Sequence, residues 1–234
     1  MKKWIVTLIL FNSTAQAFSN DWKNISTTVT LGYESRYILY GYDYGPDLYH
    51  ADLLFWKPLS EKLSVWAGSW CGTQPSGDYN EIDLYAGFDY QLSKNFSAGL
   101  AYSLFNYLEV PYPSADRSHE FSGHFTYTAG PFSLSLKDLY DTEGEGHLTR
   151  AVASFDQPIT DALSIGLSAE YGYSFDYYAV GNGPHHALCK LKLPWKISET
   201  FSLEPFIAHS LALDVLDSFE KNRTYGGVSL VASF

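Results

Sequence analysis

Glu81-Ile82-Asp83-Leu84-Tyr85-Ala86-Gly87-Phe88-Asp89-Tyr90 is the stretch that decides the fold. Ile82, Leu84, Ala86, Phe88 and Tyr90 occupy every second position, with Glu81, Asp83, Tyr85, Gly87 and Asp89 between them. Successive side chains of a strand point to opposite faces, so this segment has one apolar and one polar face. Phe96, Ala98, Leu100 and Tyr102 alternate likewise with Ser97, Gly99, Ala101 and Ser103. Leu163, Ile165, Leu167, Ala169 and Tyr171 do so with Ser164, Gly166, Ser168, Glu170 and Gly172. Runs of about nine to eleven residues are the length at which a tilted strand crosses a bilayer.

Twelve segments read this way, starting near Ile25, Tyr49, Leu63, Glu81, Phe96, Glu120, Phe132, His147, Leu163, His186, Phe201 and Thr224. Their connections alternate in length. Pro58 to Lys62, Leu92 to Asn95, Thr128 to Pro131, Pro158 to Asp161 and Pro194 to Thr200 are short. Tyr40 to Leu48, Cys71 to Asn80, Asn106 to His119, Leu139 to Gly146, Ser174 to His185 and Ala212 to Arg223 are longer and hold much of the acidic excess. Short periplasmic turns and longer outer loops are the plan of outer-membrane barrels. In lipid every backbone N–H and C=O needs an internal partner, and among sheets only a closed barrel supplies one. The expected fold is therefore all-β: a transmembrane, antiparallel, up-and-down β-barrel of about twelve strands.

A soluble β-sandwich also alternates, but its inner faces must be apolar and interdigitate. Here the faces opposite the apolar ones stay small and polar. The apolar faces end in aromatics, such as Phe55, Tyr90, Phe96, Tyr102, Phe132 and Phe201, as girdles at two membrane interfaces would require.

Both ends of the chain agree. Lys2 and Lys3 precede an apolar stretch from Trp4 to Phe11 and a small-x-small site, Ala15-Gln16-Ala17, which together read as a cleaved secretory signal peptide over residues 1–17. Residues 18–234 are then one barrel domain. Without Lys2 and Lys3 the 15 Lys+Arg fall to 13 against 26 Asp+Glu, leaving the exported chain at −13. Such a charge excludes a nucleic-acid binder, whose affinity rests on neutralising phosphates. With two Cys in all, neither a disulfide framework nor a Cys-rich zinc site is expected, and no cofactor or metal motif appears. Cys71 and Cys189 belong to strands too far apart round a twelve-strand ring to pair.

The last segment, Tyr225-Gly226-Gly227-Val228-Ser229-Leu230-Val231-Ala232-Ser233-Phe234, ends on an aromatic residue. It resembles the C-terminal signal by which bacterial outer-membrane proteins are taken up by their assembly machinery, and the resemblance makes Phe234 the assembly signal. Ser35-Arg36-Tyr37-Ile38-Leu39-Tyr40-Gly41, followed by an acidic Gly/Pro loop, resembles the Tyr-x-x-Arg-Gly strand of the TorF-type porins, the Gcw_chp family. Leu63 to Ser69, Glu81 to Phe88 and Phe96 to Tyr102 are similar to strands that follow in that family, so the likeness runs from about Leu31 to Tyr140. It departs at one place: Tyr40 stands where the family has Arg before Gly, and Arg36 lies four residues earlier. The resemblance implies an outer-membrane barrel with a pore and names no substrate.

A lysine or arginine on the lipid face at the bilayer midplane costs roughly 2–4 kcal/mol, which assigns the charges within strands to the lumen. The first six strands then contribute Glu34, Asp52, Glu81, Asp83, Asp89 and Glu120 against Arg36. The last six contribute Lys137, Arg150, Lys190 and Lys192 against Glu170 and Glu204. His124 and His186 share that inner phase. Opposed acidic and basic walls would orient polar solutes in a narrow channel; paired off, they would plug it instead. A twelve-strand lumen lies between eight-strand barrels filled by side chains and sixteen-strand porins, so only small solutes would pass. Trp66 and Trp70 narrow it further if Leu63, Val65 and Ala67 face lipid; the reversed phase would put both tryptophans in lipid.

The expected function is an outer-membrane channel of a Gram-negative bacterium, passing small polar solutes by diffusion with a modest preference for cations. The alternatives are a plugged structural or binding barrel without conductance, and an outer-membrane lipid hydrolase. For the last, His209 and Ser69 are the nearest to a lipid-facing His and Ser, with no Asn at matching phase. The acidic run Asp138, Asp141, Glu143 and Glu145 lacks calcium-loop spacing and reads as a solvated loop.

Overall fold

The computed structural model describes residues 24–75, 79–109 and 116–234; the expected signal peptide lies outside them. Twelve strands form one antiparallel sheet: β1 (Ser26–Leu39), β2 (Tyr42–Pro58), β3 (Leu63–Gln74), β4 (Tyr79–Gln91), β5 (Phe96–Glu109), β6 (Arg117–Ala129), β7 (Phe132–Asp141), β8 (Gly146–Pro158), β9 (Ser164–Phe175), β10 (Asn182–Lys192), β11 (Phe201–Ala212) and β12 (Arg223–Ser233). A two-residue strand, Trp195–Lys196, pairs with the inner end of β11. Each strand pairs with the next, and β1 pairs with β12 from Thr28↔Ser233 to Glu34↔Gly227, so the sheet closes without an edge.

The alternation has the expected direction. Leu84, Leu100, Phe125, Phe132, Leu134 and Leu136 are each more than half exposed on the outside. Phe55, Tyr90, Phe96, Tyr102 and Phe201 are exposed beside them, whereas Glu81, Asp83 and Glu120 are buried on the inside. An apolar outer belt around a sealed cylinder of backbone hydrogen bonds is stable only in hydrocarbon, so the barrel belongs in a membrane. The architecture is that of the bacterial outer-membrane barrels.

At the inner end one turn recurs four times: Leu59-Ser60, Leu92-Ser93, Ile159-Thr160 and Ile197-Ser198, each closing on an apolar residue, Leu63, Phe96, Leu163 or Phe201, at or next to the start of the following strand. In three of them the hydroxyl of Ser60, Thr160 or Ser198 accepts from the two backbone amides that follow the tip. This is the short hydroxyl-capped turn that needs no glycine.

The outer connections differ from expectation. Tyr40 to Leu48 is not a loop: β1 and β2 run on to pair Leu39 with Tyr42. Strands likewise continue into the segments expected as loops at Cys71–Gln74, Asn106–Glu109 and Asn182–His185. Strand pairing satisfies the backbone there as it does within the membrane, so polarity alone did not mark where the strands end.

Candidate functional site

β1 parts from β12 after Glu34, and β2 meets β3 only from Tyr49 onward. Ser35–Leu48 is therefore a hairpin paired with itself alone. It folds across the outer mouth of the lumen. Its tip, Tyr40-Gly41, has both φ angles positive, 51° and 87°, as a two-residue type I′ turn demands. A tyrosine in that left-handed region costs about 1–3 kcal/mol and persists only where its surroundings fix it.

The surroundings come from the far wall. The Tyr40 hydroxyl donates to Glu120 Oε2 of β6 at 3.0 Å, and the Arg150 guanidinium of β8 lies 4.3 Å over the Tyr40 ring. Gly41 packs so closely that a Cβ there would stand 2.7 Å from the His186 Cβ. The Tyr42 ring meets Tyr177, Tyr178 and His185, and Tyr44 meets Tyr37 and Tyr79. Two apolar clusters result, Tyr37 with Leu48 and Tyr79, and Leu139 with Leu148 and Tyr177. Close to the tip Asp43 is held 2.7 Å from both Arg36 and Arg223. In the outer turn Tyr177–Ala179, burial pushes the phenols of Tyr177 and Tyr178 well above their ordinary range. Burial also raises the carboxyl of Glu220 in the last outer loop.

Below the hairpin the charged side chains take definite partners. On one side Glu34 stands 3.8 Å from His50, and Asp52 accepts from the Tyr85 hydroxyl at 2.5 Å. Glu81 accepts from Tyr37 at 3.1 Å and Tyr79 at 2.5 Å, with Asp83 two positions on and also buried. Asp89 accepts from Trp66 Nε1 at 3.0 Å and lies 3.1 Å from His124. On the other side Arg150 reaches Glu170 at 3.5 Å, and His186 reaches the same carboxylate at 2.9 Å. The Lys190 ammonium lies 3.8 Å over the Phe206 ring. Lys192 pairs with Asp156 at 3.4 Å, Glu204 accepts from Ser202, and Lys137 stands in register with His124 and Arg150. Acids thus gather on β1 to β6 and bases on β7 to β10.

Trp66 and Trp70 both face inward. Trp70 stacks on Tyr37 at 5.6 Å and supports the hairpin from beneath. Arg36 is a correction: Tyr37 points into the lumen and Arg36 does not. The Arg36 guanidinium instead pairs with Asp43 across the hairpin, while the Tyr37 hydroxyl reaches Glu81; the register of β1 on β2 shifts just beyond, between Tyr37 and Ile38.

The Asp138–Glu145 stretch is also ordered differently from a solvated loop. Asp141 is buried and accepts from Ser118 Oγ and the amides of Glu143 and Gly144. Asp138 points outward, 3.1 Å from His147 and accepting from Thr149. That is a lipid-side Asp–His pair the alternation did not single out, but the Thr149 hydroxyl donates to the carboxylate, not the imidazole. Cys71 and Cys189 are free and exposed. The signal that could have revealed the plug is Tyr37, Tyr40, Tyr42 and Tyr44, four tyrosines within eight residues about Gly41.

No family model matches the sequence, and no curated protein matches it. Solved structures do. A KdgM porin in complex with disordered oligogalacturonate superposes with a TM-score of 0.60 at 13% identity, covering 88% of this chain and 99% of that one. An outer membrane channel from Pseudomonas putida F1 superposes at 0.54 and 9% identity, over 95% and 99% of the two chains. The outer membrane phospholipase A from Escherichia coli does so at 0.55 and 13%, over 88% and 92%. At such identities the likeness establishes the fold, which channels and a phospholipase share.

Proposed function

We propose that this protein is an outer-membrane channel for small polar solutes, here with its outer mouth closed by the Ser35–Leu48 hairpin. The observation that carries the reading is the lumen itself. Carboxylates on β1 to β6 face bases on β7 to β10 across an interior that also carries Ser, Thr and Gly beside Trp66 and Trp70, below a hairpin whose backbone pairs with the wall only at its stem. A structural core would be apolar; an interior of this kind suits a polar solute. Passage is by diffusion, without chemistry on the solute, and the surplus of lumen carboxylates over bases gives a modest cation preference. The likeness of Leu31 to Tyr140 to the TorF-type porins supports the same role, and KdgM and the Pseudomonas channel lend it their fold. The chain is exported and inserted by the barrel-assembly machinery through its C-terminal strand.

A second reading is favoured by one observation: Tyr40 is fixed to Glu120 and Arg150 as firmly as a permanent plug would be. Planar-bilayer recording separates the two. Replacing Ser35–Asp47 by Asn-Gly joins Glu34 to Leu48 through a two-residue turn. The channel reading expects steady unit conductance from the shortened barrel and rare openings from the full chain. A folded shortened barrel that stays silent makes the protein a plugged structural barrel. Fatty-acid release from phospholipid vesicles would instead favour the hydrolase.

A further inference from the structure

The outer surface of β4 to β8 carries a groove of about 710 Å³. Its flanks are apolar: Phe88, Leu100, Phe121, Phe125 and Leu136. It is deep because Gly123 stands at an outward position between Phe121 and Phe125, in register with Leu100 and Asp138. A Cβ at Gly123 would already come within 3.2 Å of Leu100 Cδ2. At its outer end the groove changes character. Asp138, His147 and Thr149 meet there, all at outward positions, with Thr149 Oγ1 donating to Asp138 Oδ1 at 2.6 Å and His147 Nδ1 3.1 Å from Oδ2. The Tyr140 ring packs 5.1 Å from the imidazole, at the aromatic level where lipid headgroups begin.

Asp138 and His147 remain half exposed on a face whose other side chains are greasy. The Thr149 hydroxyl donates to one carboxylate oxygen and the imidazole stands beside the other, which fixes the Asp138 carboxylate at the head of the groove and aims it at the lipid. A slot of apolar side chains ending in an anion has the shape and charge of one kind of occupant, an acyl chain carrying a cationic head.

We infer that this groove binds a phospholipid with a primary ammonium headgroup, the acyl chain lying over Gly123 and the ammonium donating to Asp138. The site lies on the outside of the wall and does not depend on whether the lumen conducts.

The test is lipid retention by the full chain in detergent, read by native mass spectrometry after exposure to phosphatidylethanolamine or phosphatidylglycerol. Wild type should retain phosphatidylethanolamine about tenfold better. Asp138→Asn, which keeps the size and the hydrogen-bonding capacity but removes the charge, should bind both lipids alike. Gly123→Leu, which fills the slot, should retain neither. Migration on unheated gels confirms that each variant is a closed barrel. Equal retention of the two lipids by wild type overturns the inference, as does an undiminished ethanolamine preference in Asp138→Asn. If Gly123→Leu does not close, the outcome rests on Asp138→Asn, which alters no packing.

Discussion

Tyr40 and Glu120 lie eighty positions apart and meet across the lumen in a 3.0 Å hydrogen bond. It fastens the tip of the first hairpin to the wall opposite its own strand. Removing the donor leaves a buried carboxylate without that partner, a cost of about 1–3 kcal/mol. Tyr40→Phe should therefore raise the open fraction in bilayer recordings while the barrel stays folded. An open fraction unchanged from wild type would show that the hairpin is held by its packing alone.

Arg150 holds two things at once, the Glu170 carboxylate and the face of the Tyr40 ring. Truncating one partner of a buried ion pair costs about 3–5 kcal/mol, because the other charge stays behind. Arg150→Ala should lower the denaturant midpoint of the micelle-bound barrel by an amount of that order. The double substitution Arg150→Met with Glu170→Leu should cost much less. Equal losses for both would mean that the charges themselves contribute little.

The two faces of the wall should respond oppositely to one change. Leu100→Arg places a charge on the lipid face and should cost about 2–4 kcal/mol if it lies near the midplane. Ser154→Arg places the same charge on the inner face beside Lys190 and Lys192 and should leave folding nearly intact while shifting the reversal potential toward anions. Refolding yields into lipid vesicles measure the first effect, and bilayer recordings the second.

Phe234 is 70% exposed, yet its backbone pairs with Thr27 in both directions. Its ring contributes little to the finished barrel, so deleting it should hardly change the unfolding midpoint. As part of the assembly signal proposed for the C-terminal strand, its loss should nonetheless reduce the amount of barrel inserted in cells. A normal yield in cells would remove Phe234 as a signal.

The twelve strands, their inner and outer faces and the girdles were legible because lipid and water act on each residue locally. A period of two in Ile82 to Tyr90 or Leu163 to Tyr171 records which solvent each side chain meets, and that record needs no partner strand. Trp66 and Trp70 were ambiguous because both faces of their strand carry apolar residues; the contacts of Trp66 with Asp89 and Trp70 with Tyr37 define their direction. Arg36 was misplaced because its partner, Asp43, lies across the hairpin, and the alternation of its own strand does not register that pairing.

What only the tertiary structure decided lies across the barrel. Tyr40 reaching Glu120 and Tyr42 reaching His185 join strands whose spacing in sequence says nothing of their distance. Closure of the ring brings them together, and closure is a property of the whole sheet, whereas the choice between lipid and water is made one residue at a time.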